Sequence, residues 1–293
     1  GKYKDSFMKT TDMSIKGKIK NLVKQSAISP QEALQMYLLE HFLLRLSESK
    51  HKDNFIFKGG CIIAQLCGQS QRTTRDIDGS IQGIPLNIDI LNNVINEIIS
   101  IKINDEIQFS LLNIANIRNN DIYGGLRATI KAALGNIKEN IKIDITAGDI
   151  ITPKAIIFEY KMMFENRSIN IMAYNTETII AEKFETIISR GILNTRGKDF
   201  YEIYTLVKLN KYDKTILKKA VSNTFKHRNA PLDIAEMKNV ILELKNNKTI
   251  FGIWKKYKNT YKYAQDISFE EIINSIDMII TEIDINTNFT LKF

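Results

Sequence analysis

The chain is 293 residues long, with 41 Lys+Arg against 33 Asp+Glu, a formal charge of +8 and a pI near 9.2; this balance favours an anionic partner without naming it. Apolar residues at 44% and charged residues at 25% exclude a disordered, collagen-like or disulfide-scaffold chain. At about 100–200 residues per domain the length predicts two domains, with one large domain as the alternative.

Lys, Asn, Asp or Glu interrupts every Ile-rich stretch, so no run of about 20 apolar residues is available to span a membrane. Gly1 to Lys20 alternates Lys with polar residues and has no apolar signal core, which predicts a cytoplasmic protein. Cys61 and Cys67 are the only cysteines and have no His or Cys cluster beside them. Two reduced thiols, and no zinc site, are expected.

In chain order, Ser29-Pro30 with Glu32 predicts a helix capped by Ser29, ahead of Ala33, Met36, Tyr37, Leu39 and Phe42. Residues 55–57 form a short apolar approach to Lys58-Gly59-Gly60, and 61–66 read as a buried helix that opens after the glycines and closes at Gly68. Residues 76–82 alternate as a strand, with Asp76, Asp78 and Ser80 on one face and Ile77 and Ile81 on the other. A helical pattern follows over 86–101, then strand patterns at 107–112 and 126–132 with a turn at Tyr123-Gly124-Gly125. Ile141, Ile143 and Ile145 alternate with Lys142, Asp144 and Thr146 as a half-buried strand. Residues 156–164 and 169–173 flank Glu165-Asn166-Arg167 as a hairpin.

Eleven of fourteen glycines and three of four prolines lie before residue 176. This predicts an α+β core over residues 1–175, with N-terminal helices and a mixed sheet, and a mostly helical domain over 176–293. Ile180, Phe184, Ile187 and Ile188 make the first helical stripe, and further helices are expected at 198–207, 214–224, 234–246, around 254–257, and at 269–283.

Chemistry concentrates in Lys58-Gly59-Gly60-Cys61, Thr73-Thr74-Arg75-Asp76-Ile77-Asp78 and Lys142-Ile143-Asp144-Ile145. Alternation places Asp76 and Asp78 about 6.6 Å apart on one strand face, a spacing that suits a pair of divalent cations. Asp144 completes the cage if its strand is the neighbour. Three acids converging without metal would repel one another. Gly59-Gly60 at a helix start leaves backbone N–H groups and the helix dipole open to phosphate; a turn or a close-packing position is the plainer use of such a pair. Asp78-Gly79 would equally open a turn, and isolated acid pairs are common on solvated faces.

The order KGG, TTRDID, IKIDITAGD and AEKFETIISRGILNTRGKDFYEIYTL resembles the AbiEii family of bacterial type IV toxin nucleotidyltransferases, related to the MenT toxins, within the polymerase-beta-like superfamily. The likeness spans about residues 55–207. It implies metal binding by Asp76, Asp78 and Asp144, with Asp144 also able to take a proton, and phosphate binding by Gly59, Gly60 and Cys61; Arg75, just before the first acid, would bind phosphate or RNA backbone or equally pair with a neighbouring carboxylate. The family commonly has Ser or Thr where Cys61 stands, and a thiol is a poorer hydrogen-bond donor. The family's lysine aligns with Lys183 and its later acid with Asp199, which either ligates or holds Lys183 or Arg196. Lys183 and Arg190, seven residues apart, lie within about 20° on one helix flank and suit a triphosphate; a solvated face paired to Glu182 and Glu185 is the alternative.

The implied activity is Mg²⁺- or Mn²⁺-dependent transfer of a nucleoside monophosphate from an NTP to RNA, such as a tRNA 3′ end, with loss of pyrophosphate. Lys183 and Asp199 would face a cleft between the two domains. The implied role is that of a toxin in abortive phage infection, paired with a winged-helix antitoxin that represses the operon. Three rivals remain: an NTP- or GTP-binding module without transfer, a small-molecule transferase of the aminoglycoside-modifying kind, and a helical scaffold with solvent-facing acids. Basic clusters at Lys208 to Arg228, and Lys255, Lys256, Lys258 and Lys262 interleaved with Tyr257, Tyr261 and Tyr263, suit a polynucleotide or simply a solvated lysine-rich surface. Arg72 could also meet phosphate or RNA. Trp254 reads as a core anchor and His41 as a satisfied core or edge histidine.

Overall fold

The structure, a computed structural model, describes residues 15–24, 28–68, 76–117 and 124–285. They form two compact units. One contains the residues up to Asp149 together with Ile156–Ala173, the other Ile150–Ala155 together with the residues from Tyr174 onward.

The first unit is α+β. Helix α1 covers residues 15–24, and α2 runs Pro30–Ser47. Ser29 caps α2 through a reciprocal box: its Oγ accepts from Glu32 N at 3.2 Å, and Glu32 Oε2 accepts from Ser29 N at 3.0 Å, satisfying two of the N–H groups that a helix start leaves open. There follow β1 (Phe55–Lys58), α3 (Gly60–Cys67), β2 (Asp76–Ile81), α4 (Ile88–Ser100), β3 (Gln108–Ile117), β4 (Gly125–Leu134), β5 (Ile137–Ala147), β6 (Ile156–Lys161) and β7 (Ser168–Ala173). The seven strands form one mixed sheet in the order β3-β4-β5-β2-β1-β7-β6. β2 pairs antiparallel with β1 and parallel with β5.

Helix α4 begins two residues later than the apolar pattern indicates, because Asn87 accepts from Ile90 N at 2.8 Å and caps it there. Strand β3 is longer than its apolar stretch and carries a register shift between Leu111 and Asn113. Strand β6 ends at Lys161 rather than 164, because Met162 N donates to Arg167 O at 3.0 Å and closes the hairpin early. The turn expected at Tyr123 lies partly outside the described residues. Ile141, Ile143 and Ile145 are buried as their alternation requires, together with Ala128 and Ile130 of β4 and Ile77 of β2. Each buried Ile contributes about 1.5–3 kcal/mol.

Between α2 and the strands lies a buried polar group. His41 Nδ1 is 2.8 Å from Asp105 Oδ2, and Arg45 grips Asp105 through two hydrogen bonds of 2.6 and 2.8 Å. Burial would raise the Asp105 pKa, but His41 and Arg45 together hold it below its ordinary value. Glu40, fully buried, accepts from Met163 N at 2.7 Å and from the Tyr160 hydroxyl at 3.3 Å. Burial pushes its pKa up to about 8, against the pull of those hydrogen bonds. Between about 4.5 and about 8 the folded state therefore holds a proton that the unfolded chain has lost. Stability falls as pH rises through that window, on the order of 1 kcal/mol per pH unit, and levels off above it. Thermal unfolding followed at several pH values across the window should show the wild-type midpoint dropping more than that of Glu40→Gln; parallel curves would remove Glu40 from this account.

The second unit is helical: α5 (Thr176–Arg190), a 3₁₀ turn (Gly191–Leu193), α6 (Gly197–Leu209), α7 (Lys214–His227), α8 (Ile234–Asn246), α9 (Lys248–Thr260), a 3₁₀ turn (Lys262–Ala264) and α10 (Phe269–Ile285). Asp213, Asp233 and Asn247 cap α7, α8 and α9 through their side-chain oxygens. Ile180, Phe184 and Ile187 are buried as the stripe predicts, and α5 packs on α7, where the Phe184 and Phe225 rings lie 5.9 Å apart. Ile150–Ala155 joins these helices because Thr152 is tied to them. Its N–H donates to Thr178 Oγ1 at 3.0 Å, and its carbonyl accepts from Asn175 Nδ2 at 2.7 Å.

No described helix is long and apolar enough to cross a membrane.

Candidate active site

The site in the sheet unit starts where β1 hands over to α3. Gly59 has φ 66° and ψ −139°, a region essentially reserved for glycine. A Cβ placed there would lie 3.0 Å from Asp78 Oδ2, so the absent side chain is what lets the carboxylate of β2 lie against the start of α3. Glycine also leaves the helix without a side-chain cap. Within α3 the first acceptor–donor pair is Gly59 O with Ile63 N, at 3.1 Å. The N–H groups of Gly60, Cys61 and Ile62 therefore find no acceptor inside the helix, and the dipole adds positive potential at the same end.

Four residues stand abreast on the sheet: Lys58 of β1 is the register partner of Asp78 of β2, Asp78 of Asp144 of β5, and Asp144 of Arg127 of β4. Cross-strand partners project to the same face. The backbone thus makes the two acidic strands neighbours and sets the two carboxylates side by side between two cations. Asp76 lies one step along β2, opposite Lys142; its side chain, like Arg72 and Arg75, lies outside the described residues.

The flanking cations answer part of the repulsion that converging acids would create. Arg127 donates to both Asp144 oxygens, at 2.6 and 2.7 Å, a bidentate geometry that is among the stronger ion pairs. Lys58 Nζ lies 2.8 Å from Asp149 Oδ2, and the Thr146 hydroxyl donates to the same oxygen at 2.6 Å. The charge balance across the row is thus met at least partly by protein. Arg127 and Asp149 are absent from the sequence-based candidates. Arg127 sits on a strand of unremarkable alternation, and Asp149 follows Gly148 in an aperiodic stretch.

Cys61 is 1% exposed, and burial, with Glu40 and Asp78 adding to it, pushes its thiol up to about 12. Such a thiol is neither a nucleophile nor an anion donor at neutral pH; what Cys61 offers toward the helix start is its backbone N–H.

In the helical unit, Lys183 of α5 reaches two acids on the first turns of α6: Asp199 Oδ1 at 3.1 Å and Glu202 Oε2 at 2.8 Å. Both acids are buried. Burial disfavours the ammonium, but Glu202 and Asp199 outweigh it and raise its pKa, so Lys183 stays charged and cannot serve as a base. Glu202 escaped the sequence reading. Its signal was its place three residues after Asp199 on one helix face. Glu182 and Glu185 pair with Arg228 instead, at 3.5 and 2.5 Å. Arg190 lies in the last turn of α5, two turns along the flank that carries Lys183.

Among the described residues no three His, Cys, Asp or Glu side chains form a ready cluster for a metal ion. The donors present at the strand row are carboxylate oxygens, the chemistry of a hard divalent cation rather than of zinc or copper.

A mixed sheet that sets a Gly-Gly helix start against an Asp-x-Asp strand, with a third acid on the parallel neighbour, defines the nucleotidyltransferase class of α+β fold. The chain belongs to the AbiEii family, the nucleotidyl transferase toxins of type IV toxin–antitoxin systems, whose family model matches residues 41–275. It is therefore a nucleotidyltransferase with an NTP substrate, and the system implies an antitoxin. Among solved structures it is similar to a Helicobacter pylori protein described as a nucleotidyltransferase (14% identity, 88% of this chain and 99% of that one, TM-score 0.48). It is also similar to JHP933 from Helicobacter pylori (14%, 89% and 97%, 0.47) and to ANT(2″)-Ia solved with adenylyl-2″-tobramycin (16%, 67% and 99%, 0.40). No curated protein matches the chain.

Proposed function

We propose that the protein is the toxin of a type IV toxin–antitoxin, abortive-infection system. In this reading it acts in the cytoplasm, moves a nucleoside monophosphate from an NTP onto RNA, with a tRNA 3′ end as the acceptor, and is restrained by a winged-helix antitoxin. The carrying observation is the row in which Asp78 and Asp144 stand as register partners, with Asp78 against the uncapped start of α3. The reading divides the chain into a catalytic core to residue 175 and a helical domain over 176–293. The excess of positive charge favours RNA over a cationic small molecule as acceptor.

In this reading the acceptor hydroxyl oxygen bonds to the α-phosphorus, the bond to pyrophosphate breaks, and the hydroxyl proton passes to Asp144. Backbone N–H groups of Gly59, Gly60 and Cys61 hold the β and γ phosphates. Lys183, kept protonated by Asp199 and Glu202, offsets charge on the departing pyrophosphate together with Arg190, and Arg75 adds a phosphate contact. Asp76, Asp78 and Asp144 would hold Mg²⁺ or Mn²⁺, with Arg127 orienting Asp144 through its two hydrogen bonds. A divalent cation so held supplies Lewis-acid stabilisation of the phosphoryl oxygens and lowers the pKa of the attacking hydroxyl.

The test is incubation with Mg²⁺, total tRNA and each labelled NTP in turn, beside Asp76→Ala. The expected result is label on RNA with at least one NTP and none with the variant. Nucleotide binding with no labelled RNA under any NTP would replace the transferase with a binding module.

A further inference from the structure

The transfer reaction leaves unused an aromatic pile in the helical unit. Trp254 and Tyr257 of α9 stack with ring centroids 5.7 Å apart, Tyr257 and Tyr261 are 4.7 Å apart, and Tyr261 and Tyr263 stack at 5.2 Å and 19°. Tyr201 of α6 closes on Tyr263 at 4.8 Å. The inner end is core: Trp254 is 1% exposed, and the Tyr257 and Tyr263 hydroxyls are hydrogen-bonded to each other at 2.9 Å. The outer end is open, with Tyr261 40% exposed.

Two further observations give this pile a direction. From Lys245 to Gln265 the chain carries six lysines and no carboxylate, and Lys255, Lys256 and Lys262 are exposed in the same segment as the open ring. A solvated helix face usually mixes charges of both signs; this one supplies no acid of its own to pair its cations. Secondly, Gly197 rests on Tyr257 so closely that a Cβ there would come within 2.6 Å of the tyrosine Cβ. The pile is therefore fixed to the turn of α6 that also presents Arg196 and Lys198 to solvent and carries Asp199, the partner of Lys183. Exposed rings among unpaired cations are the combination that binds unpaired nucleotides: the cations take the phosphates and the ring takes a base.

We propose that Tyr261, with the exposed Lys255, Lys256 and Lys262 of its own segment and Arg196 beside the Gly197–Tyr257 contact, is a stacking subsite for an unpaired nucleotide of a single-stranded polynucleotide, in the unit that carries the Lys183–Asp199 pair. As the acceptor's docking point it rests on the RNA-transferase reading above; as a binding site it stands or falls separately.

The experiment measures fluorescence anisotropy of a short fluorescein-labelled single-stranded RNA, and of its blunt duplex, on the full chain without NTP. Wild type should prefer the single strand. Tyr261→Ala should weaken single-strand binding roughly tenfold, in line with the loss of one base–ring stack, while Tyr261→Trp keeps it. Lys255→Gln combined with Lys256→Gln should reduce the slope of log affinity against log salt by about 1.4, the value for two phosphate contacts on a single strand. Equal binding of single strand and duplex, wild-type affinity in Tyr261→Ala, or an unchanged salt slope in the lysine pair would each overturn the subsite. If Tyr261→Ala does not fold, the strand preference and the lysine pair still decide. The two readings fail differently. RNA binding that depends on Tyr261, without label transfer by wild type, sinks the transferase alone. Transfer whose acceptor KM is the same in Tyr261→Ala overturns Tyr261 as the acceptor's docking point and leaves the transferase reading standing.

Discussion

Asp78→Asn is expected to lower nucleotide transfer by on the order of 10³-fold while leaving the protein folded. The substitution keeps the shape of the side chain and removes its charge at the point where three features meet. Asp78 is the middle of the row between Lys58 and Asp144, and its Oδ2 lies against Gly59, the first glycine of the pair that opens α3. An amide there is neutral, so it holds a divalent cation far more weakly than a carboxylate and leaves the row one negative charge short. Losing one preorganised electrostatic contact in an active site typically costs 10²–10³ in kcat, and a metal ligand lies at the upper end of that range or beyond. The cost in stability is far smaller. One carboxylate near a helix start is worth about 0.3–1 kcal/mol, so the melting midpoint should move by a few degrees at most. Initial rates of label incorporation, measured beside thermal unfolding, separate the two effects. An Asp78→Asn protein that transfers at the wild-type rate would move the chemistry away from this strand row.

Much of the sheet site was legible because its signals are local. Gly59-Gly60 followed by the mostly apolar stretch 61–66 announces a buried helix that begins without a cap, and α3 spans Gly60–Cys67. The alternation Ile141, Ile143 and Ile145 fixes which face of β5 carries Asp144, and all three are buried. What the local pattern does not carry is register. That Asp78 lies level with Asp144 depends on a pairing between strands far apart in sequence, whereas Asp144 lies level with Arg127 through the two-residue turn that joins β4 to β5. The arginine that neutralises Asp144 is missed because the strands at 126–132 and 141–145 are read singly and not as the two arms of one hairpin, and without it the repulsion among the acids looks greater than it is. The alternative partners of Lys183 show the opposite case, in which the answer was present in the helix geometry. Glu182 and Glu185 lie one and two residues away, spacings that do not share a helix face, whereas Asp199 and Glu202 come from the next helix and share a face with each other. Asp149 closes the IKIDITAGD run but lies beyond its alternating part, so no role is read for it, and only the fold brings it to Lys58.

Lys183→Ala is expected to destabilise the protein by about 3–5 kcal/mol, because it leaves Asp199 and Glu202 buried without the cation that faces both. For a chain of this size that corresponds to a fall of roughly 10 °C in melting midpoint. The sign of the pH dependence is fixed by the raised pKa of Lys183. A lysine whose folded pKa exceeds its unfolded value of about 10.4 gives its full stabilisation at and below that pH and loses it only as pH climbs higher. The difference between wild type and variant should therefore be unaffected by lysine titration near neutrality and shrink above about pH 10. Loss of stability alone would not show that Lys183 touches substrate, so the informative variant combines Lys183→Met with Asp199→Asn and Glu202→Gln. Removing all three charges takes away the buried carboxylates that faced Lys183 and should recover most of the lost stability, since neutral groups of similar shape replace a buried ion network at little cost. If Lys183 acts only as a packing element, transfer returns with stability. If it faces the triphosphate, the triple variant melts near wild type and still fails to transfer nucleotide, and unfolding curves and labelling rates on that one protein distinguish the two.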